Sequence, residues 1–462
     1  MARRGARCGR PTDRSALVIA YGEDHPQLID DRFSAVLLIL DGLGDRAIPE
    51  LGGATPSEAA NTPNLDSLAR RAANGIHVPF GPGRATSSEH AHWAMFGGDL
   101  TEFPGRSVLE FAGAHRTPQT GVLYLYGSLR PSMLRLDGTR WITGRASRGI
   151  DDTDCLELLT AIAPWSNGHL DIALHHRGRG ECILAVSGAQ SSAITDSDPL
   201  FEHLHPWMKP LAINSAAETT AESLTAYLRW AQRVLEAHPT NQARTARDIP
   251  ALNVLTTKWP GMGGHTPTFV DLAGVEGAIV SDTNLYRGFA QLLEMRNVHL
   301  HIDDDPTLDM TRRLDAAKQL ISDGVPFVQV HLKATDEAGH TKSPHAKRDL
   351  LERLDPALAV LLDPPFSTCA LAVTGDHATP SVHGVLHTGD PTPFCLYSPS
   401  QRPDDVHRFG ERFAASGSLG RLAARDVLPS LMNAANRPAF SGTRTAPRAA
   451  SALTDHPEAM RM

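Results

Sequence analysis

Short apolar runs followed by aspartate constrain the fold of this chain more than any other feature. Ala35–Leu40 leads directly into Asp41, and Cys369–Thr374 leads through one glycine into Asp376 and His377. A continuous apolar run of this length, bounded by charge and glycine, is typical of a strand that is buried on both faces. Because α/β sheets bind ligands at the carboxyl ends of their strands, we expect these polar side chains to share one site.

Helical segments alternate with the strands, which predicts an α/β fold with a mostly parallel sheet wrapped by helices. In TPNLDSLARRAANG, Thr62 is the expected N-cap, Pro63 the first helical residue and Gly75 the stop. A second helix is expected over residues 344–362, interrupted or bent at Pro356. Further strands are predicted at Phe327–Leu332, Pro393–Tyr397, Gly121–Tyr126, Cys182–Val186 and Ala278–Val280.

The middle of the chain lacks clusters of aspartate and histidine of the kind found after the two apolar runs. It is interpreted as a second α/β domain inserted into the first. The predicted organisation is a disordered tail at 1–32, a discontinuous core domain at 33–100 and 294–436, an inserted domain at 101–293 and a second disordered tail at 437–462. One tail is polar and basic and the other is rich in small residues and proline, which is typical of disorder. An insertion between two halves of a site is expected to close over it.

Bulk composition excludes some classes of function. The net charge of −8 over 462 residues argues against nucleic-acid binding, because no basic excess exists to displace counterions. A local cluster of arginine and lysine still permits a small anionic substrate. No apolar run approaches the roughly 18 residues of a membrane span. The five cysteines lack CxxC spacing and suit a reducing compartment, so a cytoplasmic protein with no membrane partner is expected. The oligomeric state stays open.

Seven residues with oxygen or imidazole donors form a candidate site for two divalent metal ions. Such donors suit borderline-hard ions better than a thiolate zinc site does. Asp336 and His340 are four residues apart and therefore share one face if their segment is helical. The predicted ligands of one ion are Asp336, His340 and His387, and those of the other are Asp41, Ser88, Asp376 and His377.

Ser88 is the candidate nucleophile of this site. The following EHAHWAMF segment is able to form a helix, which would place the hydroxyl near a positive N-terminus that attracts phosphate. Two ions about 4 Å apart clamp an in-line displacement, and a bound ion lowers the pKa of a serine hydroxyl. Ser87 is the rival nucleophile. The residues alone therefore predict an enzyme that acts on phosphate.

Eight stretches of the chain form a recognisable set: DGLGDRAIPELGGATPSEAANTPNLDSLA, SSEHAHWAMFGGD, FPGRSVLEFAGA, SSAITDSDP, HPTNQAR, VHLKATDEAGH, TGDHATP and HTGDPTPF. In these stretches the chain resembles the 2,3-bisphosphoglycerate-independent phosphoglycerate mutases of the archaeal type, within the alkaline-phosphatase superfamily. The stretches cover about residues 33 to 435, strongly at the two ends and loosely in the middle. The resemblance implies an α/β, alkaline-phosphatase-like core with a mostly parallel sheet, plus an inserted α/β phosphomutase domain.

The resemblance also implies a reaction. Ser88 would take the phosphoryl group from 3-phosphoglycerate as a phosphoserine, and the 2-hydroxyl of the retained glycerate would take it back. The protein would be an isomerase of glycolysis that needs no 2,3-bisphosphoglycerate. It would use two divalent ions, usually manganese, with zinc, cobalt or magnesium as alternatives. Lys333 matches the family lysine that contacts phosphate.

The inserted domain departs from the family where arginines bind the substrate. Leu123–Gly127 replaces the FRxN segment and contains no arginine, with Arg130 nearby as a candidate replacement, and Lys258 stands for the arginine of RGAG. Lysine does not reproduce the bidentate hydrogen bonds of arginine. A related phosphorylated or phosphonate acid of a specialised pathway is therefore a second candidate substrate. The predicted substrate-binding residues are Lys333, Arg106, Arg145, Arg177 and Lys258.

Other functional classes fit the sequence less well. The main alternative is a metal-dependent phosphohydrolase, in which water releases the phosphoserine. The large insertion with several arginines favours a mutase, which needs a lid that excludes water. A sulfatase is disfavoured because no CxPxR or SxPxR motif occurs. A non-catalytic binding protein would be expected to lose metal ligands, and all seven are present.

Overall fold

The computed structural model describes residues 32–198 and 204–439 together with Met460 and Met462. The predicted tails therefore lie almost wholly outside the described residues. The chain divides into two compact units. The first unit contains the described residues of Met1–Phe103, Pro267–Thr283 and Leu293–Met462, and the second contains those of Pro104–Thr266 and Asn284–Leu292.

The strands are numbered in chain order. They are β1 Ala35–Leu40, β2 Ala73–His77, β3 Leu123–Arg130, β4 Ser132–Leu134, β5 Arg140–Ile142, β6 Trp165–Ser166, β7 Asp171–Gly178, β8 Glu181–Ser187, β9 His205–Pro206, β10 Val254–Met262, β11 Gly277–Ser281, β12 Arg296–His299, β13 Phe327–Leu332, β14 Ala370–Thr374, β15 Thr392–Tyr397 and β16 Gly420–Leu422.

The helices are numbered in the same way. They are α1 Pro56–Ala59, α2 Pro63–Ala69, α3 Ser88–Met95, α4 Arg106–Gly113, α5 Asp152–Ala161, α6 Glu218–Ala237, α7 Pro239–Thr245, α8 Phe269–Ala273, α9 Asn284–Leu292, α10 Pro306–Ser322, α11 Ala334–His340, α12 Pro344–Leu358, α13 Glu411–Ala414 and α14 Ala424–Ala434. Among the described residues, none of these helices is both long and apolar enough to span a bilayer.

The first unit is built on an eight-stranded sheet in the order β12-β11-β13-β1-β14-β15-β2-β16. β15 runs antiparallel to both its neighbours, and every other neighbouring pair is parallel. Every residue of the central strand β1 is buried, as the continuous apolar run predicts. Helices α2, α10 and α12 contribute to the same hydrophobic core. The predicted α/β class with a mostly parallel sheet is confirmed.

Three local predictions differ from the structure. Residues 267–283, expected in the inserted domain, belong to the first unit because β11 pairs with β13. The helix after Thr62 ends at Ala69, and Gly75 lies inside β2, where the backbone of the neighbouring strand β16 leaves no room for a side chain. Helix α12 includes Pro356 but ends at Leu358, two residues after the proline, and a 3-10 turn replaces the expected α-helix over the last four residues to Leu362.

The second unit has a five-stranded antiparallel sheet in the order β10-β3-β8-β7-β6, and a small sheet in the order β4-β5-β9. Alternation along β3 sends Leu123 and Leu125 into a core formed with α5 and α6. Tyr124 and Tyr126 pack on the opposite face with Val108 of α4. The face that carries α4 also holds the cationic residues described below.

Candidate active site

The candidate ligands of the first unit meet at the carboxyl ends of three adjacent parallel strands, β13, β1 and β14. Asp41 follows β1, Asp376 and His377 follow β14 after one glycine, and Asp336 lies in α11 just beyond β13. His387 comes from the loop between β14 and β15. The topology therefore gathers residues that are hundreds of positions apart in the sequence.

Asp41 lies at the centre of this cluster and is fully buried. Its Oδ2 accepts hydrogen bonds from Lys333 Nζ and His331 Nε2, each at 2.9 Å. Burial by itself would raise the pKa of Asp41, but the charge of Lys333 and the hydrogen bonds from His331 and His377 hold it well below the ordinary value. Asp41 is therefore a carboxylate, which is the form that binds metal ions.

The two candidate nucleophiles have different surroundings. Ser88 is the first residue of α3, and its Oγ lies 3.0 Å from His377 Nε2 and 3.4 Å from Asp41 Oδ1. The Oγ of Ser87 instead donates to Glu89 Oε1 at 2.7 Å and lies 3.0 Å from His90 Nδ1. Only the hydroxyl of Ser88 therefore points into the carboxylate–imidazole cluster.

Donor atoms converge in two overlapping groups, each with all its atoms within 4.8 Å of one another: Asp336, His377 and His387 in one, and Asp41, Asp376 and His377 in the other. Asp376 Oδ2 is buried and accepts no hydrogen bond from the described residues. Burial and the neighbouring Asp41 raise the pKa of Asp376 to about 6, and burial and the neighbouring His377 lower that of His387 to about 4. Against the effect of burial, Asp376 and Asp41 raise the pKa of His377 to about 9. The imidazole of His387 and the Oδ2 of Asp376 fit a divalent ion as they stand, and His377 must lose a proton to bind one.

Lys333 and His340 flank Asp336. Lys333 Nζ lies 2.6 Å from Asp336 Oδ2 and so bridges Asp336 and Asp41, which raises the pKa of Lys333 despite its burial. His340 Nε2 lies 3.3 Å from the same oxygen, one helical turn along α11. The side chain of His340 is 30% exposed, so it forms the outer edge of the cluster. All seven candidate ligands and Lys333 are thus brought together.

Two histidines of the cluster were missed by the sequence analysis. His331 of β13 contacts Asp41, and His92 of α3 lies with Nδ1 2.9 Å from Ser88 O and 3.6 Å from Asp376 Oδ2. His92 is four residues beyond Ser88, and this helical spacing was an available signal. His331 is an ionisable residue within the strand FVQVHL, whose other polar residue is the neutral Gln329, and this was also visible in the sequence.

Thr379 and Lys347 support the cluster and were missed as well. Thr379 Oγ1 donates to Asp336 Oδ1 at 2.5 Å and lies 3.2 Å from His377 Nδ1. The buried Lys347 donates to the carbonyl oxygens of Gly42 and Thr379 at 2.8 and 3.0 Å. Both residues act through contacts between distant segments, for which the local sequence carries no signal.

The predicted substrate-binding residues of the second unit form a separate cationic cluster. Arg106 Cζ and Lys258 Nζ lie over the ring of Trp259, 3.9 and 4.1 Å from its centroid. Burial lowers the pKa of Lys258 to about 8. The negative charge of Asp198 acts against this decrease, and the positive charges of Arg106, Arg130 and Arg145 add to it. The remaining members are Arg177, 3.0 Å from Glu110 Oε2, Arg130, 3.3 Å from Asp198 Oδ2, and the exposed Arg145.

Known proteins resemble the chain over nearly its whole length. The model of the metalloenzyme superfamily matches residues 34–434. The 2,3-bisphosphoglycerate-independent phosphoglycerate mutase of Pyrococcus horikoshii is 33% identical over 87% of this chain and 97% of its own. The second such mutase of Methanocaldococcus jannaschii is 30% identical over 90% of this chain and 96% of its own.

Two solved structures are similar to this one along most of the chain. A Pyrococcus horikoshii protein superposes with a TM-score of 0.73 at 29% identity, over 89% of this chain and all of its own. The cofactor-independent phosphoglycerate mutase of Thermoplasma acidophilum superposes with a TM-score of 0.60 at 29% identity, over 87% of this chain and all of its own.

Proposed function

Because the chain belongs to the metalloenzyme superfamily and to its 2,3-bisphosphoglycerate-independent phosphoglycerate mutases, which are isomerases, we propose that it transfers a phosphoryl group through Ser88. The proposed substrates are 3- and 2-phosphoglycerate, or a related phosphorylated or phosphonate acid. The observation that carries the proposal is the position of Ser88 Oγ, 3.0 Å from His377 Nε2 and 3.4 Å from Asp41 Oδ1.

The donor set supports two divalent ions, with manganese as the first candidate. The proposed ligands are Asp41, Ser88, Asp376 and His377 for one ion and Asp336, His340 and His387 for the other. His377 belongs to both convergent donor groups, although the proposal assigns it to the ion of Asp41 and Asp376, and His340 belongs to neither group. Bound ions would lower the pKa of the Ser88 hydroxyl and neutralise charge on the phosphoryl oxygens.

The side chains of the cluster suggest how transfer proceeds. Ser88 Oγ gives up its proton and forms a bond to phosphorus, while the bond from phosphorus to the 3-oxygen breaks and the 3-oxygen takes up a proton. The glycerate stays bound, its 2-hydroxyl loses a proton and attacks phosphorus, and the Oγ–P bond breaks so that Oγ is protonated again as serine. Lys333, at hydrogen-bond distance from Asp41 and Asp336, supplies positive charge for the phosphate oxygens. His92 contacts the carbonyl of Ser88 and fixes the first turn of α3.

The second unit is proposed to bind the acid end of the substrate. Guanidinium and ammonium groups recognise carboxylate and phosphate through charge-assisted hydrogen bonds. The cluster combines such groups with a few acids that limit their mutual repulsion. The proposed binding residues are Arg106, Arg145, Arg177 and Lys258, with Arg130 in the position of a replacement arginine.

A coupled assay of 3- to 2-phosphoglycerate conversion with added Mn²⁺, run beside an assay of free phosphate, tests the function. We expect conversion without phosphate release. Ser88→Ala should abolish conversion, and Ser87→Ala is the matched control, because Ser87 contacts Glu89 and His90 instead of the cluster. Release of free phosphate would indicate a phosphohydrolase, and full activity of Ser88→Ala would exclude the phosphoserine.

A further inference from the structure

Trp259 has a backbone conformation that normally favours glycine. Its φ is 56°, in the left-handed region, where a bulky side chain is strained. Its amide donates to Asp196 Oδ1 at 2.9 Å, and its carbonyl accepts from Ser107 Oγ at 2.6 Å. The pairing of β10 with β3 shifts by one residue between Lys258 and Gly261, which places Trp259 in a bulge. The bulge is thus fixed by contacts that do not involve the indole.

The indole makes contacts of a different kind. Arg106 and Lys258 lie over it at 3.9 and 4.1 Å, and the ring of Tyr126 packs edge-on with its centroid at 5.2 Å. Tyr126 is itself fixed by a 2.7 Å hydrogen bond to Glu181 Oε2. Strained residues persist where the surrounding structure over-determines them, and such positions concentrate at functional sites. Here the strained backbone of Trp259 accompanies contacts between its ring and two cations, Arg106 and Lys258.

Contact with an aromatic ring restricts long cationic side chains. Arginine and lysine have many rotamers, and the entropy lost when they are ordered on binding weakens the affinity for an anion. A cation over an indole is attracted by the electron-rich face and remains charged. Two side chains restrained in this way are therefore pre-organised for an anion before it binds.

We propose that Trp259 is a positioning and specificity-determining residue, which holds Arg106 and Lys258 as a paired cationic subsite for the acid group of a phosphorylated or phosphonylated carboxylic acid. The proposal rests on the proposed function for the nature of the substrate. It assigns to the indole a role in affinity for the acid and none in the phosphoryl-transfer step.

The test compares Trp259→Phe with Trp259→Leu in the Mn²⁺-loaded Ser88→Ala protein, in which bound substrate is not consumed. Both variants carry the same kind of backbone strain and an apolar side chain, and only phenylalanine keeps an aromatic face. Titration calorimetry with 3-phosphoglycerate should give a Kd within about threefold of the parent for Trp259→Phe and about tenfold weaker for Trp259→Leu. With Ser88 intact, KM should change in the same way while kcat stays within about twofold.

Asp248→Gly is the control for backbone strain. Asp248 has φ 58° in an exposed turn of the same unit, so its replacement relieves similar strain outside strand β10 and outside the cationic cluster, and the Kd should not change. Equal Kd values for the phenylalanine and leucine variants would overturn the role of Trp259 and leave the mutase assignment intact. Aromatic-dependent binding without conversion would support the subsite and overturn the mutase assignment. Binding of neither 3-phosphoglycerate nor phosphonoacetate by the parent would overturn the subsite.

Discussion

The two clusters of polar residues are built in different ways. In the first unit, Asp41, Asp336 and Asp376 are buried, and they are fixed by strand ends and by hydrogen bonds of 2.5 to 2.9 Å. In the second unit, Arg106 and Lys258 are partly exposed and lie over an aromatic ring. The backbone of the sheet fixes the positions of the first cluster. The positions of the second cluster depend on the conformations of long side chains in the second unit.

Because the two clusters are built differently, substitutions in them should affect different properties of the enzyme. A change in the first cluster disturbs buried charges that have no water to replace a lost partner, so its chemistry tolerates little variation. A lysine or arginine over an aromatic ring can be replaced by another residue without disturbing the fold, because its long aliphatic part adapts to the surface and its charged group stays in water. We therefore propose that changes in the second cluster alter selectivity for the acid while the proposed transfer chemistry of the first cluster is kept.

The largest expected difference between the two clusters is obtained by substituting one residue of each, Asp376→Asn in the first cluster and Arg106→Gln in the second. Loss of Asp376 should reduce bound metal and lower kcat/KM about 1000-fold, the equivalent of several kcal/mol of transition-state stabilisation. Arg106→Gln should raise KM about tenfold and leave the metal content unchanged. Elemental analysis and steady-state kinetics measure both effects, with the exposed Asp363→Asn as control. Unchanged metal in Asp376→Asn would exclude the proposed ligand set.

The next largest effect is expected at Lys347. Its Nζ donates to the carbonyls of Gly42, Gly44 and Thr379 and lies 3.1 Å from Asp45 Oδ2, entirely within the core. Lys347→Met should lower the free energy of unfolding by about 3–5 kcal/mol, because it removes the lysine that compensates the buried charge of Asp45, which then keeps, among the described residues, only the hydrogen bonds from Ser381 and Arg46. Denaturant titration measures the loss. A loss below about 1 kcal/mol would show that water replaces the ammonium.

A smaller effect is expected at Gly42, whose φ is +62°. An added Cβ would lie 2.5 Å from Thr379 Oγ1 and 2.7 Å from Asp336 Oδ1. Gly42→Ala should cost about 2–4 kcal/mol, the sum of left-handed strain and overpacking, and should reduce activity by displacing Asp336. Gly53→Ala is the matched control, since φ is +80° there but the added Cβ meets open space. Equal stability losses in the two variants would show that the side chains of Asp336 and Thr379 move away from the new Cβ without a loss of folding free energy.

The sequence predicted the first cluster better than the second. Strands β1 and β13 were placed correctly, because a buried parallel strand is a local apolar run. The contacts of Lys347 with Gly42 were not predictable, because they join segments about 300 residues apart. Gly75 was read as a helix stop because glycine signals both caps and close backbone approach, and only the sheet distinguishes them.

In the second unit, sequence reasoning found the cations but not what holds them. Lys258 was recognised as a substitution, whereas the left-handed φ of Trp259 and its contacts follow from a bulge that no local pattern revealed. For Arg130 the sequence predicts only that it replaces the arginine missing from Leu123–Gly127. The structure places it against Asp198, which also acts on the pKa of Lys258. Surface clusters of long side chains depend on tertiary geometry more than strand-end residues do.

The smallest effect, and the most informative about selectivity, is expected from Lys258→Arg. Burial and the charges of Arg106, Arg130 and Arg145 lower the pKa of Lys258 to about 8, against the attraction of Asp198. The lysine is charged below that pH and neutral above it, so affinity for 3-phosphoglycerate should fall as pH rises past about 8.

Arginine stays charged at every accessible pH. Lys258→Arg should therefore extend binding to higher pH and, at pH 7, improve kcat/KM for 3-phosphoglycerate about tenfold, since one further hydrogen bond to a charged group contributes about 1.5 kcal/mol. The pH dependence of KM for the two proteins measures both effects, with kcat as the internal control. An alkaline rise in KM that persists in Lys258→Arg would assign the titration to another group, and a lower kcat/KM at pH 7 would show that the lysine is itself adapted to a different acid.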